Sequence, residues 1–210
     1  MANAITLSRL LWLTIAVILL YQTSSTARII AAGLIVLTII LDGVDGWVAR
    51  AWDEVSDLGS VLDIAVDRVV EQVLWIVYAT LFLAPVWAPI IVVARGVMTD
   101  AIRSYVFAKG ATAFGMMESA WGQFLVSSRF MRALYGTAKT AVFVYLALLA
   151  AADVAWTDGT GAGTGALPLP VLHTVGLWLT VLVVGLTVLR GIPVFIEARR
   201  FFGHESEVNT

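Results

Sequence analysis

Six stretches of about twenty apolar residues constrain this 210-residue chain more than any other feature, because that is the length an α-helix needs to cross the hydrocarbon core of a bilayer. They fall near 5–22, 28–50, 58–83, 86–108, 130–153 and 169–196. The breaks between them are polar at 22–26, charged at 51–57, marked by Pro85 and Pro89, and rich in glycine and proline over 157–170. Only 13% of residues are charged and 60% are hydrophobic, against roughly 25% charged in soluble domains. The pattern predicts an all-α membrane protein of six transmembrane helices, one domain over 1–203 and a short polar tail over 204–210. The longest polar interruption, about 109–129, is expected to hold a short interfacial helix. The first apolar run lacks a strongly basic leader and a small-residue cleavage site, so it reads as a mature helix rather than a signal peptide.

Lys and Arg placement sets the orientation. Arg50 lies in the 2–3 connection, Arg103, Lys109, Arg129 and Arg132 flank the 4–5 connection, and Arg199 and Arg200 follow the last helix. The 3–4 and 5–6 connections carry no Lys or Arg. Both termini are therefore expected in the cytoplasm, in a multi-pass protein of the cell (inner) membrane. Arg28 is the exception, at the outer end of the second helix, where it is expected to snorkel to the headgroups.

Against this apolar background the stretch DGVDGWVARAWDEVSDLGSVLDIAVD, 42–67, sets four aspartates at Asp42, Asp45, Asp63 and Asp67. Residues three or four apart share a helix face. Asp42 and Asp45 thus project together from the inner end of the second helix, and Asp63 and Asp67 from the start of the third. Carboxylates at bilayer depth are costly and persist where they line a wet cavity, pair, or hold a cation. Four of them repel one another unless a divalent ion neutralises them, and all-oxygen ligation suits magnesium, manganese or calcium. Magnesium commonly shares its shell with substrate phosphates, so a cytoplasmic-facing polar active-site cavity of this kind points to phosphoryl or pyrophosphate chemistry. Gly46 and Ala49 share a face with the first pair and clear room for a ligand. Arg50 offers a planar donor for a phosphate oxygen, and Gly59, one turn before Asp63, permits close helix packing. The structural alternative is a set of ion pairs with Arg50, Arg68 or Arg95. A different class, a cation- or proton-coupled transporter, would place the aspartates near the midplane. The absence of cysteine excludes disulfides and Cys-ligated metal sites.

The pattern Asp42-x2-Asp45-Gly46-x2-Ala49-Arg50-x8-Gly59-x3-Asp63-x3-Asp67 resembles the signature of the CDP-alcohol phosphatidyltransferases at all eight of its specified positions. The resemblance implies a six-helix membrane enzyme, typically a homodimer, that displaces CMP from a CDP-linked alcohol such as CDP-diacylglycerol with a hydroxyl acceptor. It implies that Asp42, Asp45 and Asp63 ligate Mg2+ or Mn2+, with Asp67 a metal neighbour and the general base. It also implies that Gly46 and Ala49 make room for the cytidine nucleotide, that Arg50 contacts its phosphates, and that Gly59 belongs to the same wall. Asn3-x2-Thr6-x2-Arg9 is similar to the family's P-N-x-[LI]-T-x2-R segment beside the nucleotide, with Ala2 where proline is common. Asn3 and Thr6 there offer hydrogen bonds to cytosine or ribose, or else cap the first helix.

Arg95 and Arg103, eight apart on the fourth helix, and Lys139 and Arg132 on the fifth, with Arg129 beside them, are candidates for a phosphorylated acceptor. They serve equally as positive-inside signals or contacts to anionic headgroups. RGVMTDAIRSYVFAKG and Gly136-x2-Lys139-Thr140 resemble segments of phosphatidylglycerophosphate synthases, with Gly96 where glutamate is usual and Thr137 where lysine is. Glycerol 3-phosphate is therefore the expected acceptor. Ser104-Tyr105 with Ala108-Lys109 is also similar to phosphatidylinositol-phosphate synthases, which keeps an inositol phosphate in contention. No nucleic-acid partner is expected. GTGAGTG at 159–165 follows no strand and reads as a flexible connection, His173 as an interfacial residue, and Glu71 as a partner of Arg68. Trp87, Trp156 and Trp178 suit the membrane interface or packing.

Overall fold

The computed structural model describes residues 2–52, 57–108, 119–159 and 168–202, without the side chains of 2–3, 45–51, 57–58, 60 and 200–202. Among the described residues it is all-helical: α1 (Ala2–Leu20), α2 (Ser25–Ala51), α3 (Asp57–Thr80), α4 (Trp87–Ala108), the single turn α5 (Ala120–Gly122), a π-helical turn (Gln123–Ser127), α6 (Arg129–Thr157) and α7 (Leu169–Phe202). A helix occupies each apolar run expected from the sequence. Among the described residues three stretches are long and apolar enough to cross a membrane, Ser25–Val44, Arg129–Thr157 and Leu169–Arg199, and Ala4–Leu20 is apolar but shorter. The glycine run at 159–165 lies almost wholly outside the described residues, as does 109–118. Beyond that gap the expected helix is a turn of α-helix started by Ser119, whose hydroxyl accepts from the Gly122 N–H, running into the π turn.

The chain divides into two compact units. The first comprises residues 1–89 and 140–180. In it α1 packs on α2 and α3, and periodicity shows how. On α1 the buried positions are Thr6, Arg9, Leu13, Ala16 and Leu20, alternating steps of three and four that draw one narrow stripe. On α2 the stripe is Ala31, Ile35 and Thr38, and on α3 it is Val66, Val70, Leu74 and Val77. The outward positions are as apolar as the buried ones: Leu7, Leu11, Ile18, Ile29, Ile30, Ile40, Val61 and Ile64 are all exposed. A water-soluble surface rarely carries so much contiguous apolar area, whereas lipid is its natural solvent.

Toward the other end of this unit Trp75 meets Phe143 edge to face, ring centroids 5.3 Å apart, and the Tyr78 hydroxyl donates to the Phe143 carbonyl at 2.6 Å. Gly176 lets α7 approach α6, since a Cβ there would stand 3.3 Å from Leu146 and Tyr145. The Arg28 guanidinium, expected to snorkel, donates through Nη1 to the Ala150 carbonyl at 2.7 Å and through Nε to the Gln22 carbonyl at 2.9 Å. Gln22 follows the end of α1, where carbonyls lack helical partners, and a cation also suits the negative end of the helix dipole. His173, expected to be an isolated interfacial residue, is paired: its Nε2 lies 2.8 Å from Asp153 Oδ1.

The second unit comprises residues 90–139 and 181–210. A small core of Val106, Val126, Val194 and Ala198, with Ile102, Tyr105 and Leu125 against it, joins α4, the π turn and the end of α7. The buried Glu197 carboxylate accepts from the Ser119 hydroxyl and, at 3.3 Å, from the Ser119 N–H. This anchors the segment that opens α5.

Arg28→Ala removes two charge-assisted hydrogen bonds and is expected to cost about 1–3 kcal/mol. Thermal melting of the detergent-solubilised protein measures it; a melting temperature unchanged from wild type would show that these carbonyls find other donors.

Candidate active site

The three buried stripes of the first unit lead to the same place. Extending α2 from Thr38 by one turn reaches Asp42, and extending α3 backward from Val66 and Val70 reaches Asp63 and Asp67. On α1 the corresponding position is Arg9, whose side chain is only 1% exposed. Its Nη1 lies 2.6 Å from Asp42 Oδ1 and 3.3 Å from Asp63 Oδ1, and its Nη2 lies 3.9 Å from Asp67 Oδ1. One guanidinium thus gathers carboxylates from two other helices. The aspartate side chains are 43, 50 and 46% exposed, so the cation is buried while its partners remain open to a ligand.

The energetics favour this arrangement despite the open carboxylates. Exposed ion pairs are worth only about 0–1 kcal/mol each. Leaving a buried guanidinium without partners costs about 3–5 kcal/mol, and three like-charged carboxylates without a cation repel one another. Thr6, one helical turn before Arg9, is buried beside it in sequence register, and Gly59 is half-buried one turn before Asp63. Glu71 pairs with Arg68 at 3.3 Å, as the spacing suggested.

Asp45, Gly46, Ala49 and Arg50 belong to α2, and Asn3 to α1, but their side chains lie outside the described residues. Of the four expected metal ligands the structure brings Asp42, Asp63 and Asp67 together about Arg9. Their chemistry fits a hard divalent cation, for they offer only carboxylate oxygens and already turn toward a shared positive charge. Among the described residues, no three acidic side chains stand close enough to one another to hold an ion as they are. The guanidinium occupies their common focus.

The expected acceptor residues lie in the second unit. The Arg95 side chain crosses Gly191 of α7, where a Cβ would stand 3.1 Å from its Nε and 3.2 Å from its Cγ. Arg103 lies 4.0 Å from Asp100 on its own helix. Lys139 Nζ sits 5.7 Å from the centre of the Tyr135 ring. A residue without an assigned role in the sequence reading joins them: the Arg190 guanidinium carbon is 4.8 Å from the same ring centre, its Nε donates to the Leu125 carbonyl at 3.0 Å, and the charges of Arg95, Arg103 and Arg132 act on it. Tyr135 is oriented in turn by Thr187, the two hydroxyls 3.0 Å apart. Arg129 is exposed at the start of α6. A signal for Arg190 was available in the sequence, since an arginine inside the last long apolar run is a functional candidate by default. Arg9 sat inside a recognised motif, but nothing in the spacing said what it would touch.

Helices of membrane length and a cluster of carboxylates turned to one buried arginine define a membrane-embedded protein with an acidic polar site. Residues 1–189 match the family described as CDP-alcohol phosphatidyltransferase, and the chain belongs to that family of membrane transferases. It is also similar to an archaetidylinositol phosphate synthase of Aeropyrum pernix, 44% identical over 77 residues. That alignment spans 37% of this chain and 37% of the relative.

Replacing Gly191 by valine puts side-chain atoms where Arg95 lies and is expected to cost about 1–3 kcal/mol, with Gly191→Ala less severe. A Gly191→Val protein that melts with wild type would show that Arg95 has no fixed seat there.

Proposed function

We propose that this protein is a metal-dependent transferase of membrane phospholipid biosynthesis. It moves a phosphatidyl, or phospho-alcohol, group from a CDP-linked lipid alcohol such as CDP-diacylglycerol to the hydroxyl of a small phosphorylated alcohol and releases CMP. The observation that carries this reading is the convergence of Asp42, Asp63 and Asp67 on one cationic focus, at the positions where the family signature sets its aspartates.

In this reading Asp42, Asp45 and Asp63, with Asp67 beside them, hold Mg2+ or Mn2+. When bound, such an ion supplies charge neutralisation of the pyrophosphate and stabilisation of the departing phosphate oxygen. Gly46, Ala49 and Gly59 leave space for the cytidine nucleotide, Arg50 meets its phosphates, and Asn3 and Thr6 hydrogen-bond its base or ribose. Asp67 accepts the proton of the acceptor hydroxyl. The hydroxyl oxygen forms its bond to the phosphorus that carries the lipid alcohol, and the bond from that phosphorus to the CMP oxygen breaks.

The acceptor is an inositol phosphate in the reading we prefer. Support comes from the similarity to the archaetidylinositol phosphate synthase, and from Gly96 and Thr137, which depart from the phosphatidylglycerophosphate synthase pattern. Glycerol 3-phosphate is the second reading, favoured by Arg95, Arg103, Lys139 and Thr140 at that pattern's remaining positions. Both acceptors carry a phosphate, which suits the grouping of Arg95, Arg103, Arg132 and Arg190. The same proposal includes one catalytic domain over 1–203 with a tail over 204–210, six membrane spans with both termini cytoplasmic in the cell membrane, a cytoplasmic-facing cavity, and a homodimer. The Lys and Arg distribution supports the orientation.

The purified protein with Mg2+ or Mn2+ is expected to release CMP from CDP-diacylglycerol when offered inositol phosphate, and less or none with glycerol 3-phosphate, inositol, serine or phosphatidylglycerol. No release with any acceptor, together with ion flux in liposomes, would establish the transporter class instead. Asp67→Asn is expected to lower turnover by about 10²–10⁴-fold with donor binding largely retained; wild-type turnover in that variant would remove Asp67 from the base role. Arg190→Met is expected to raise KM for the phosphorylated acceptor about tenfold, the effect of about 1.4 kcal/mol, and to leave KM for the donor unchanged. Equal rises in both would mean a general loss of structure.

A further inference from the structure

Arg9 stands where a bound cation would have to act. Its side chain is almost wholly buried, its two terminal nitrogens face three carboxylates from two other helices, and those carboxylates are half-open to solvent. Meanwhile no three acidic side chains among the described residues are near enough to one another to cage an ion. A Mg2+ ion held by the same oxygens needs them drawn inward, to about 2.0–2.1 Å from a common point. A guanidinium 2.6 Å from one of them and 3.3 Å from another cannot stay at that focus as well. Two positive groups a few ångströms apart in a partly dry site repel.

We propose that Arg9 is a built-in counter-cation that competes with the divalent metal for Asp42, Asp63 and Asp67. In the metal-free protein it neutralises the carboxylates and holds α1, α2 and α3 in register; on metal binding its guanidinium is displaced from the carboxylates. Arg9 is then a positioning residue with two states. The chain can fold and reside in the membrane before any metal arrives, and metal affinity is set lower than the carboxylates alone would give. This inference rests on the reading of the aspartates as metal ligands.

The test uses the full-length protein in nanodiscs, with Mn2+ binding measured by calorimetry and by the loss of free-ion EPR signal, so that no turnover enters the readout. Wild type is expected to bind Mn2+, and Arg9→Met to bind it about tenfold tighter or more, the order expected when one like charge is removed from a few ångströms away. Metal-free Arg9→Met is expected to melt below wild type, and the deficit to shrink at saturating Mn2+, because the ion replaces the lost charge and binding to the folded state stabilises it. A merely structural arginine would instead give weaker metal binding and a deficit that Mn2+ does not shrink. Affinity in Arg9→Met equal to or weaker than wild type overturns the proposal. Should Arg9→Met fail to fold, wild type alone decides through the Arg9 guanidinium 15N signals, assigned by their loss in Arg9→Lys. Diamagnetic Mg2+ is expected to shift them toward those of a solvated arginine; signals that stay unchanged while Mg2+ binds overturn it. Wild type that binds neither ion would instead remove the metal reading of the aspartates, a different result from a wild type that binds while Arg9 is indifferent.

Discussion

A charge carried into an apolar helix packing must find its opposite there, and the first unit is built on one such match: the buried guanidinium of Arg9 with the carboxylates of Asp42, Asp63 and Asp67. Elsewhere on these helices apolar side chains face both inward and outward, so hydrophobicity alone gives α1 little preference for one rotation about its axis. The ion cluster supplies that preference. It sets which face of α1 turns inward at the polar end, and the alternating three- and four-residue steps from Arg9 to Leu20 carry the same face along the rest of the helix.

The second unit seats its cations in several different ways. Arg190 lies against the face of Tyr135 and donates to the Leu125 carbonyl; Arg95 is laid across a glycine; Arg103 has Asp100 one turn away. An aromatic face and a carbonyl oxygen hold the Arg190 guanidinium in place. The buried Glu197 is spent differently, on fixing Ser119 and the turn that follows it.

Much of this was legible in the sequence for identifiable reasons. Helices announce themselves by apolar runs of membrane length, and each expected run is helical. The aspartates stood out because carboxylates are rare in such runs, and their three- and four-residue spacing is a face of a helix in any context. The local pair of Glu71 with Arg68 was readable for the same reason. What could not be read were contacts between residues far apart in sequence. Arg9 and Asp63 are separated by 54 positions, Arg28 and Ala150 by 122, and Arg190 and Leu125 by 65. For Arg28 the sequence suggested only snorkelling, because the carbonyls of Gln22 and Ala150 that its guanidinium meets could not be foreseen from local spacing. His173 was read as solitary because Asp153 lies on a different helix.

By itself the sequence determined the class of molecule: helices long and apolar enough to favour lipid, and four aspartates at helical spacing whose carboxylates suit a hard cation. Those are properties of composition and local periodicity, which follow from helix geometry and from the cost of charge in hydrocarbon. Only the tertiary structure decided that the cation at the centre of the described carboxylates is the chain's own Arg9, and that Arg190 joins the basic group. Which charge meets which depends on the rotation and depth of each helix against its neighbours, and that is settled by packing and charge pairing over the whole unit rather than by any single stretch of residues.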